Sequence, residues 1–213
     1  MAVLIPIKAF HAAKGRLKGW LPDRDRARLA RWMAEQVVRA AHPLPTFVAC
    51  DDDEVAVWAE SLGAEVLWGP GLGLNGAIDQ GVDTIAGKGV EHVIISHGDL
   101  PLAESLGRVA RSGHVALVPD RRRDGTNVLS RPCNITMPAS YGGGSFRSHL
   151  ANLRIHQSVL EDQDPEGVGQ TLLQATSFLI QSGLCQISIA LCDLQTLFAK
   201  VKDGMRRPNH SFC

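Results

Sequence analysis

Basic side chains crowd the segment that follows the first apolar run of the chain. Four cations and one glycine lie in this segment, at Lys8, Lys14, Gly15, Arg16 and Lys18. Cations at the carboxyl end of a buried strand, ahead of a helix, form an anion site that suits a polyphosphate. A solvated basic loop is the alternative. The P-loop pattern GxxxxGK[ST] is absent, and we expect no GxGxxG pattern to open a helix.

An aspartate follows a later apolar run. Asp99 comes shortly after residues 92–96 and stands in the segment Ser-His-Gly-Asp-Leu-Pro. A carboxylate just past a buried strand is well placed to bind Mg²⁺ on a nucleotide phosphate. The alternative is an aspartate that caps the next helix. His97 is expected to be structural, because Mg²⁺ prefers oxygen ligands.

Glycine-rich segments form two further candidate binding loops. Residues 69–76 carry four glycines and Asn75, whose amide suits recognition of a base or ribose edge, although a flexible turn is the alternative. Three consecutive glycines beginning at Gly142 precede Ser145 at the start of an expected helix, with Thr126 nearby. Free backbone N–H groups there predict a second anion pocket, and a mobile hinge is the alternative. Residues 121–123 are three arginines, expected to be mostly an ordinary exposed charge run.

No nucleophile arrangement is readable in the sequence. Neither a Ser-His-Asp nor a Cys-His pattern stands out, and no pair of catalytic carboxylates does. A phosphate acceptor would explain this, since it is already an anionic nucleophile that needs no general base. Catalysis would then consist of alignment and charge neutralisation by metal and cations.

The elements that must position these loops alternate along the chain. Helical spacing runs from Asp23 to Ala40, over 55–62 and 77–85, and briefly around Val109. Asp23 follows Pro22 and is expected to be an N-cap. Apolar runs predict strands at 3–7, 46–50, 64–67, 92–96 and 115–118. This order predicts an α/β fold with a mostly parallel sheet and helices on both faces, whose ligands lie at the carboxyl ends of the strands.

Composition bounds the class of protein. The 213 residues include 22 basic and 22 acidic side chains, so the formal net charge is zero. The chain therefore has no overall electrostatic attraction for nucleic acid or anionic membranes. The five cysteines show no CxxC spacing, and no run reaches the roughly 18 apolar residues of a membrane span. We expect one domain over 1–213 in the cytoplasm. After residue 150 we expect a polar loop at 161–169, helices at 171–181 and 193–202, and a strand at 186–189.

These loops together resemble the guanylyltransferases of coenzyme F-420 biosynthesis, which activate a small phospho-carboxylic acid with GTP. The resemblance covers roughly residues 1–150, five motifs appearing in order at suitable spacing. The matching segments are Ile5–Lys8 with Ala13–Leu17, Gly73–Asn75, Gly98–Leu102, Pro119–Arg121 with Asp124–Asn127, and Tyr141–His149. It implies a Rossmann-like nucleotidyltransferase fold.

The resemblance also implies roles for individual residues. GTP phosphates would lie near Lys8, Lys14 and Arg16, the nucleoside near Asn75, and Mg²⁺ at Asp99. Catalysis would rest on Lys14, Arg16 and Asp99, while Thr126, Gly142 and Ser145 would hold the phospho-acid. The family's C-terminal motif D-x-D-T-P-E-D-L is not matched, and Asp193 is the nearest candidate for a second metal ligand.

The expected reaction transfers GMP to 2-phospholactate, phosphoenolpyruvate or 3-phosphoglycerate and releases diphosphate. The sequence does not choose among these three acceptors. The same fold acting on a sugar phosphate or molybdopterin is a second interpretation, and a nucleotide-binding protein without catalysis is a third. Handover of product to a downstream transferase is expected from the resemblance, and the oligomeric state is left open.

Overall fold

The computed structural model describes residues 1–153, which build one sheet with helices on its two faces. The strands are β1 Ala2–Pro6, β2 Thr46–Cys50, β3 Glu65–Trp68, β4 His92–Ser96, β5 Ala116–Pro119 and β6 Thr126–Pro132. The helices are α1 Asp23–Ala41, α2 Asp53–Ser61, α3 Gly73–Gly87 and α4, the helical stretch 145–153. Single 3-10 turns lie at Phe10–Ala12, Gly15–Leu17 and Leu106–Val109.

The sheet has the order β3-β2-β1-β4-β6-β5. Strands β3, β2, β1 and β4 are mutually parallel, whereas β6 runs antiparallel to both β4 and β5. Ser96, the last residue of β4, pairs with Val128 near the start of β6. The beginning of β6 therefore lies at the edge of the sheet where β1 and β4 end, and this edge carries the candidate loops.

Strand residues alternate between two apolar layers. Val3 and Ile5 pack with α1 and α2 on one face, while Ala2 and Leu4 pack with α3 on the other. Both layers are buried because parallel strands covered by helices on each side present apolar side chains to both faces. Gly81 of α3 lies against β1 so closely that an added Cβ would stand 2.9 Å from a Leu4 methyl.

The predicted fold class is confirmed, and five strands fall within one residue of their predicted bounds. The sixth, β6, was not predicted: Thr126 and Asn127 were assigned to the segment after β5, and residues 128–132 were assigned to no element. Asp23 is not the N-cap of α1. The helix begins at Asp23 itself with Pro22 as the N-cap, and the Asp23 carboxylate pairs with Arg26 instead. The segment around Val109 is a 3-10 turn rather than an α-helix.

Some expectations concern residues outside the described part of the chain. These are the elements at 161–169, 171–181, 186–189 and 193–202, the metal ligand Asp193, and the extension of a single domain to residue 213. Within residues 1–153, the structure contains no helix with the length and apolar character that crossing a membrane requires.

Candidate active site

A cavity of about 320 Å³ opens between the segments that follow β1 and β4. Lys8 and Lys14 line it from the first segment, and His97 and Asp99 from the second. Its remaining wall is apolar and comes from α1, the start of α3 and the first 3-10 turn, through Phe10, Ala30, Met33, Ala34 and Leu74. A cavity with an apolar wall and a few converging charged groups is the usual form of a small-molecule site.

Lys14 and Asp99 meet at this cavity. The Lys14 ammonium nitrogen lies 2.8 Å from a carboxylate oxygen of Asp99, although 85 residues separate the two in sequence. Burial opposes ionisation of Asp99, but the adjacent Lys14 charge outweighs it, so the pKa of that carboxyl lies below its usual range. The pair therefore presents a cation and an ionised carboxylate together, because β1 and β4, which precede them, are neighbouring parallel strands.

Arg26 holds the loop that carries Lys14. Its guanidinium is buried within α1, donates to the Ala13 carbonyl at 2.8 Å and donates to Asp23 at 2.6 Å. Lys14 itself has a positive φ of 55°, a backbone conformation that non-glycine residues adopt only when neighbours hold it. Sequence reasoning missed Arg26. A basic residue placed among the helically spaced apolar positions of α1 is the signal that could have found it.

The other predicted phosphate-binding cations stand further out. Lys8 is exposed at the cavity, and Arg16 is exposed on the 3-10 turn Gly15–Leu17 without lining the cavity. The three arginines at 121–123 are all exposed, as expected for a surface charge run. The structure thus brings Lys8 and Lys14 to the cavity and leaves Arg16 beside it.

Thr126, Ser145 and His149 form a second cluster at the same edge of the sheet. The Thr126 backbone N–H donates to the Ser145 hydroxyl at 3.0 Å, and the Thr126 hydroxyl lies 2.9 Å from Nδ1 of His149. Burial, with a smaller contribution from His97, lowers the pKa of the His149 ring from its ordinary 6.5 to about 4. Sequence reasoning placed Thr126 and Ser145 together and gave His149 no role.

The two hydroxyl residues are buried rather than open to the cavity. Thr126 is 1% exposed and Ser145 2%, so a ligand reaches either hydroxyl only when the surrounding chain shifts. Gly142 and Gly143 beside them are exposed, and their backbone N–H groups make no hydrogen bond within the described residues. The adjoining loop carries two positive φ angles, 136° at Gly142 and 72° at Gly144.

Asn75 anchors this glycine loop through both ends of its amide. Its Oδ1 accepts from the Tyr141 N–H at 2.8 Å, and its Nδ2 donates to the Tyr141 carbonyl at 3.2 Å. Gly73 and Asn75 lie in the first turn of α3 rather than in a loop. The spacing Gly71, Gly73, Gly76 is a GxGxxG pattern that follows a strand and opens a helix, so the expectation that no such pattern opens a helix is wrong.

His97 connects the cavity with the second cluster. Its backbone N–H donates to the Asn127 carbonyl in β6, and its ring meets the Tyr141 ring edge-on at a centroid distance of 5.1 Å. Tyr141 in turn packs on the His149 ring at 4.8 Å. Burial lowers the pKa of His97 and raises that of the Tyr141 phenol. Three rings in edge-to-face contact thus connect the cavity of Lys14 and Asp99 with the cluster of Thr126 and Ser145.

Asp99 is the carboxylate available for a metal at this cavity. Among residues 1–153 no group of three or more His, Cys, Asp or Glu side chains could enclose a metal ion. Mg²⁺ fits such a setting, because it keeps several waters and binds through one or two carboxylates plus substrate phosphates. A hard carboxylate that is half exposed at the cavity suits that role.

Comparison with known proteins identifies the family. Residues 1–160 match the family described as "Guanylyl transferase CofC like". A phosphoenolpyruvate guanylyltransferase of Rubrobacter xylanophilus is 35% identical over 156 residues, 69% of this chain and 76% of that protein. A 2-phospho-L-lactate guanylyltransferase of Methanocaldococcus vulcanius is 29% identical over 189 residues, 81% of this chain and 84% of that protein.

A solved structure shows the same fold at low identity. A protein of Desulfovibrio desulfuricans G20, described as a nucleotide-diphospho-sugar transferase, has a TM-score of 0.63 and 13% identity. The match covers 95% of this chain and 98% of that one, and it bears on the fold alone. With the family match spanning the sheet and both clusters, the chain is a nucleotidyltransferase and belongs to the CofC-like guanylyltransferase family.

Proposed function

We propose that the protein transfers GMP from GTP to the phosphate of a small phospho-carboxylic acid and releases diphosphate. The observation that carries the proposal is the Lys14–Asp99 pair at a cavity on the edge of the sheet that also carries the buried hydroxyl cluster. Relatives named for phosphoenolpyruvate and for 2-phospho-L-lactate support this acceptor class, and 3-phosphoglycerate shares its chemistry.

The residues divide between the two substrates. We assign the GTP phosphates to Lys8, Lys14 and Arg16, because cations neutralise charge on the phosphates that leave. The nucleoside is assigned to the start of α3 near Asn75, where the GxGxxG spacing lets backbone approach a ligand closely.

The phospho-acid is assigned to the loop beside α4. Gly142 supplies a free N–H there, while Thr126 and Ser145 supply hydroxyls beneath it. These donors face a ligand with anionic oxygens, which is the form of both the phosphate and the carboxylate of such an acid.

The reaction needs no protein nucleophile. An oxygen of the acceptor phosphate forms a bond to the α-phosphorus of GTP, and the bond from that phosphorus to the bridging oxygen of the β-phosphate breaks. The electron pair leaves with diphosphate, so no proton has to be removed from the attacking group. The chain contributes alignment of the two substrates and cations that stabilise the developing charge.

Mg²⁺ is the expected cofactor. Asp99 would hold it, and Asp193, which lies outside the described residues, is the proposed second ligand. Bound there, the ion supplies charge neutralisation on the phosphates. When the ion binds, the Asp99 oxygen that contacts Lys14 would contact the ion instead.

The test measures diphosphate release from GTP and Mg²⁺ with each of the three phospho-acids separately. A downstream phospho-acid transferase and its deazaflavin acceptor are included, so that an unstable product is handed over. Release with one acid supports the proposal and names the acceptor. Release with a sugar phosphate or molybdopterin instead moves the assignment to another acceptor, and GTP binding without release supports the interpretation as a non-catalytic binding protein. We expect the enzyme to act in the cytoplasm.

An Asp99→Asn variant makes the test sharper. The Lys14–Asp99 pair is 27% and 54% exposed, so its loss should cost only about 0.2–1 kcal/mol of unfolding free energy. Turnover should fall at least about 100-fold, because charge on the phosphates is no longer balanced. Asp51→Asn, an exposed aspartate after β2, is the matched control and should leave turnover intact. Near-normal turnover of Asp99→Asn would refute the metal assignment.

A further inference from the structure

The hydrogen bonds of His149 determine which ring nitrogen carries the hydrogen. The backbone N–H of Ser140 donates to Nε2 at 3.3 Å, and an amide N–H can only donate. Nε2 therefore keeps its lone pair, and the hydrogen of the neutral ring stands on Nδ1. Nδ1 lies 2.9 Å from the Thr126 hydroxyl oxygen, so the ring donates and Thr126 accepts.

The same assignment extends to the two hydroxyls. Thr126 Oγ1 accepts from His149, and Ser145 Oγ accepts from the Thr126 N–H at 3.0 Å. Each hydroxyl hydrogen is then left to donate, and neither has an acceptor within residues 1–153. Both side chains are at least nine-tenths buried, where a hydroxyl hydrogen without an acceptor costs free energy.

Two unused donors side by side suit an acceptor with anionic oxygens. Charge-assisted hydrogen bonds from hydroxyls to an oxyanion are about twice as strong as neutral ones. Gly142 and Gly143 nearby are exposed and carry no side chains, but both hydroxyls are buried, so a ligand reaches them only when the surrounding chain shifts.

We propose that His149 is a positioning residue that orients the Thr126 hydroxyl as a hydrogen-bond donor to the anionic phospho-acid, beside the Ser145 hydroxyl that the Thr126 N–H orients. This rests on the proposed function, because it names how that substrate's site is prepared. The ring itself touches no substrate: it is 0% exposed and is packed edge-on against Tyr141 at 4.8 Å. Its role is to keep the Thr126 oxygen occupied as an acceptor, so that the hydroxyl hydrogen points away from the ring.

Two amide substitutions separate the two ring nitrogens. The side-chain amide of Asn stands where Nδ1 does, so His149→Asn retains a donor for Thr126 and loses the acceptor for Ser140. The longer side chain in His149→Gln reaches the Nε2 position, so it retains the acceptor and loses the donor.

The KM for the phospho-acid should rise about 10-fold or more in His149→Gln and several-fold less in His149→Asn, while the KM for GTP stays within about 2-fold. A merely structural role predicts equal changes in both KM values and in the folded fraction. Equal effects of the two substitutions would overturn the proposal.

A double-mutant cycle tests whether His149 acts through Thr126. In Thr126→Val the hydroxyl is absent, so adding His149→Gln should change the phospho-acid KM by less than about 2-fold. Independent, additive increases in KM would contradict an action through this hydroxyl.

Nitrogen NMR of the ring gives a readout that needs no turnover. In full-length protein labelled at histidine nitrogens, the signals lost in His149→Asn belong to this ring. We expect Nδ1 to be protonated and Nε2 unprotonated, and the opposite tautomer would overturn the donor assignment. If wild-type protein releases no diphosphate with any acid, the proposed function is refuted. The NMR measurement still decides which ring nitrogen of His149 carries the hydrogen, so the two failures can be told apart.

Discussion

The buried ring of His149 should make the fold sensitive to acid. The side chain is 0% exposed, and burial lowers the pKa of its ring from 6.5 to about 4. Between these two pH values the unfolded chain binds a proton at this residue that the folded chain does not bind. The free energy of unfolding therefore falls as pH is lowered through this window, and the contribution is fully present only above the unfolded value.

The magnitude follows from the two pKa values. At about 1.36 kcal/mol per pH unit, lowering the pKa from 6.5 to about 4 corresponds to at most about 3 kcal/mol. Between pH 7 and pH 4.5 the loss should be about 2–3 kcal/mol. His97 and Tyr141 face the ring and are unchanged in a His149 variant, so comparison of wild type with variant isolates the one ring.

The assay is urea unfolding at a series of pH values from 7 to 4.5. His149→Asn should be less stable than wild type at pH 7, and the difference should shrink by about 2–3 kcal/mol at pH 4.5 because the variant has no ring to protonate. His11→Asn, which removes a 74% exposed imidazole, is the matched control and should leave the acid sensitivity in place. A difference between wild type and His149→Asn that stays constant with pH would refute the assignment of a buried neutral ring.

Two further substitutions test how the elements position the site. Gly81→Ala should lower the unfolding free energy by about 1–3 kcal/mol in urea unfolding, because its Cβ would stand 2.9 Å from the fully buried Leu4 side chain. Gly87→Ala in the same helix meets nothing within 4 Å and should stabilise by about 0.5–1 kcal/mol; equal effects would contradict the close packing. Arg26→Met should reduce kcat/KM for diphosphate release about 10-fold by freeing the Lys14 loop. The exposed Arg24→Met should not, and matching losses in both variants would rule out a positioning role for Arg26.

The parallel strands were predictable from local sequence because both of their faces are apolar. A strand covered by helices on each side presents a continuous run of apolar residues, as at 2–5 and 93–95, although buried polar residues flank that run in β4, at His92 and Ser96. The bounds of β2 and β4 were therefore predicted without error, and the parallel arrangement followed from the alternation with helices.

Strand β6 was not predictable on that basis because three of its five buried residues are polar, namely Thr126, Ser130 and Arg131. The Ser130 hydroxyl lies 2.7 Å from the His92 ring, and the Arg131 guanidinium donates to the Pro132 and Ile135 carbonyls. The Ser130 partner lies on β4, and the Arg131 partners are carbonyls at and just beyond the end of β6, so residues 126–132 alone do not indicate how these polar groups are bonded inside the fold. No strand was therefore predicted there.

The candidate site, like the fold, was predictable from the sequence only in part. The sequence placed Lys14 and Asp99 in segments that follow strands, but only the structure shows that these strands are neighbours and that the two side chains meet at 2.8 Å. The sequence could not predict that Asn75 binds the Tyr141 backbone, nor that Arg26 fixes the carbonyl before Lys14, because both contacts depend on the orientation of side chains across helices. The predicted binding roles of these residues stay predictions until substrates are tested.

The antiparallel direction of β6 explains how the two proposed anion-binding regions come to lie at the same edge of the sheet. Were β6 parallel to β4, Thr126 would lie at the opposite edge of the sheet from Asp99. Reversal of the strand instead places Thr126 next to the end of β4, where the His97 N–H donates to the Asn127 carbonyl at 3.1 Å. Asp99 follows His97 by two residues, so the segment expected to hold the metal is tied by a backbone hydrogen bond to the strand that begins the phospho-acid cluster. In-line transfer requires acceptor and donor phosphates to be held at a fixed separation, and a shared, hydrogen-bonded strand pair supplies that rigidity more directly than independent loops would.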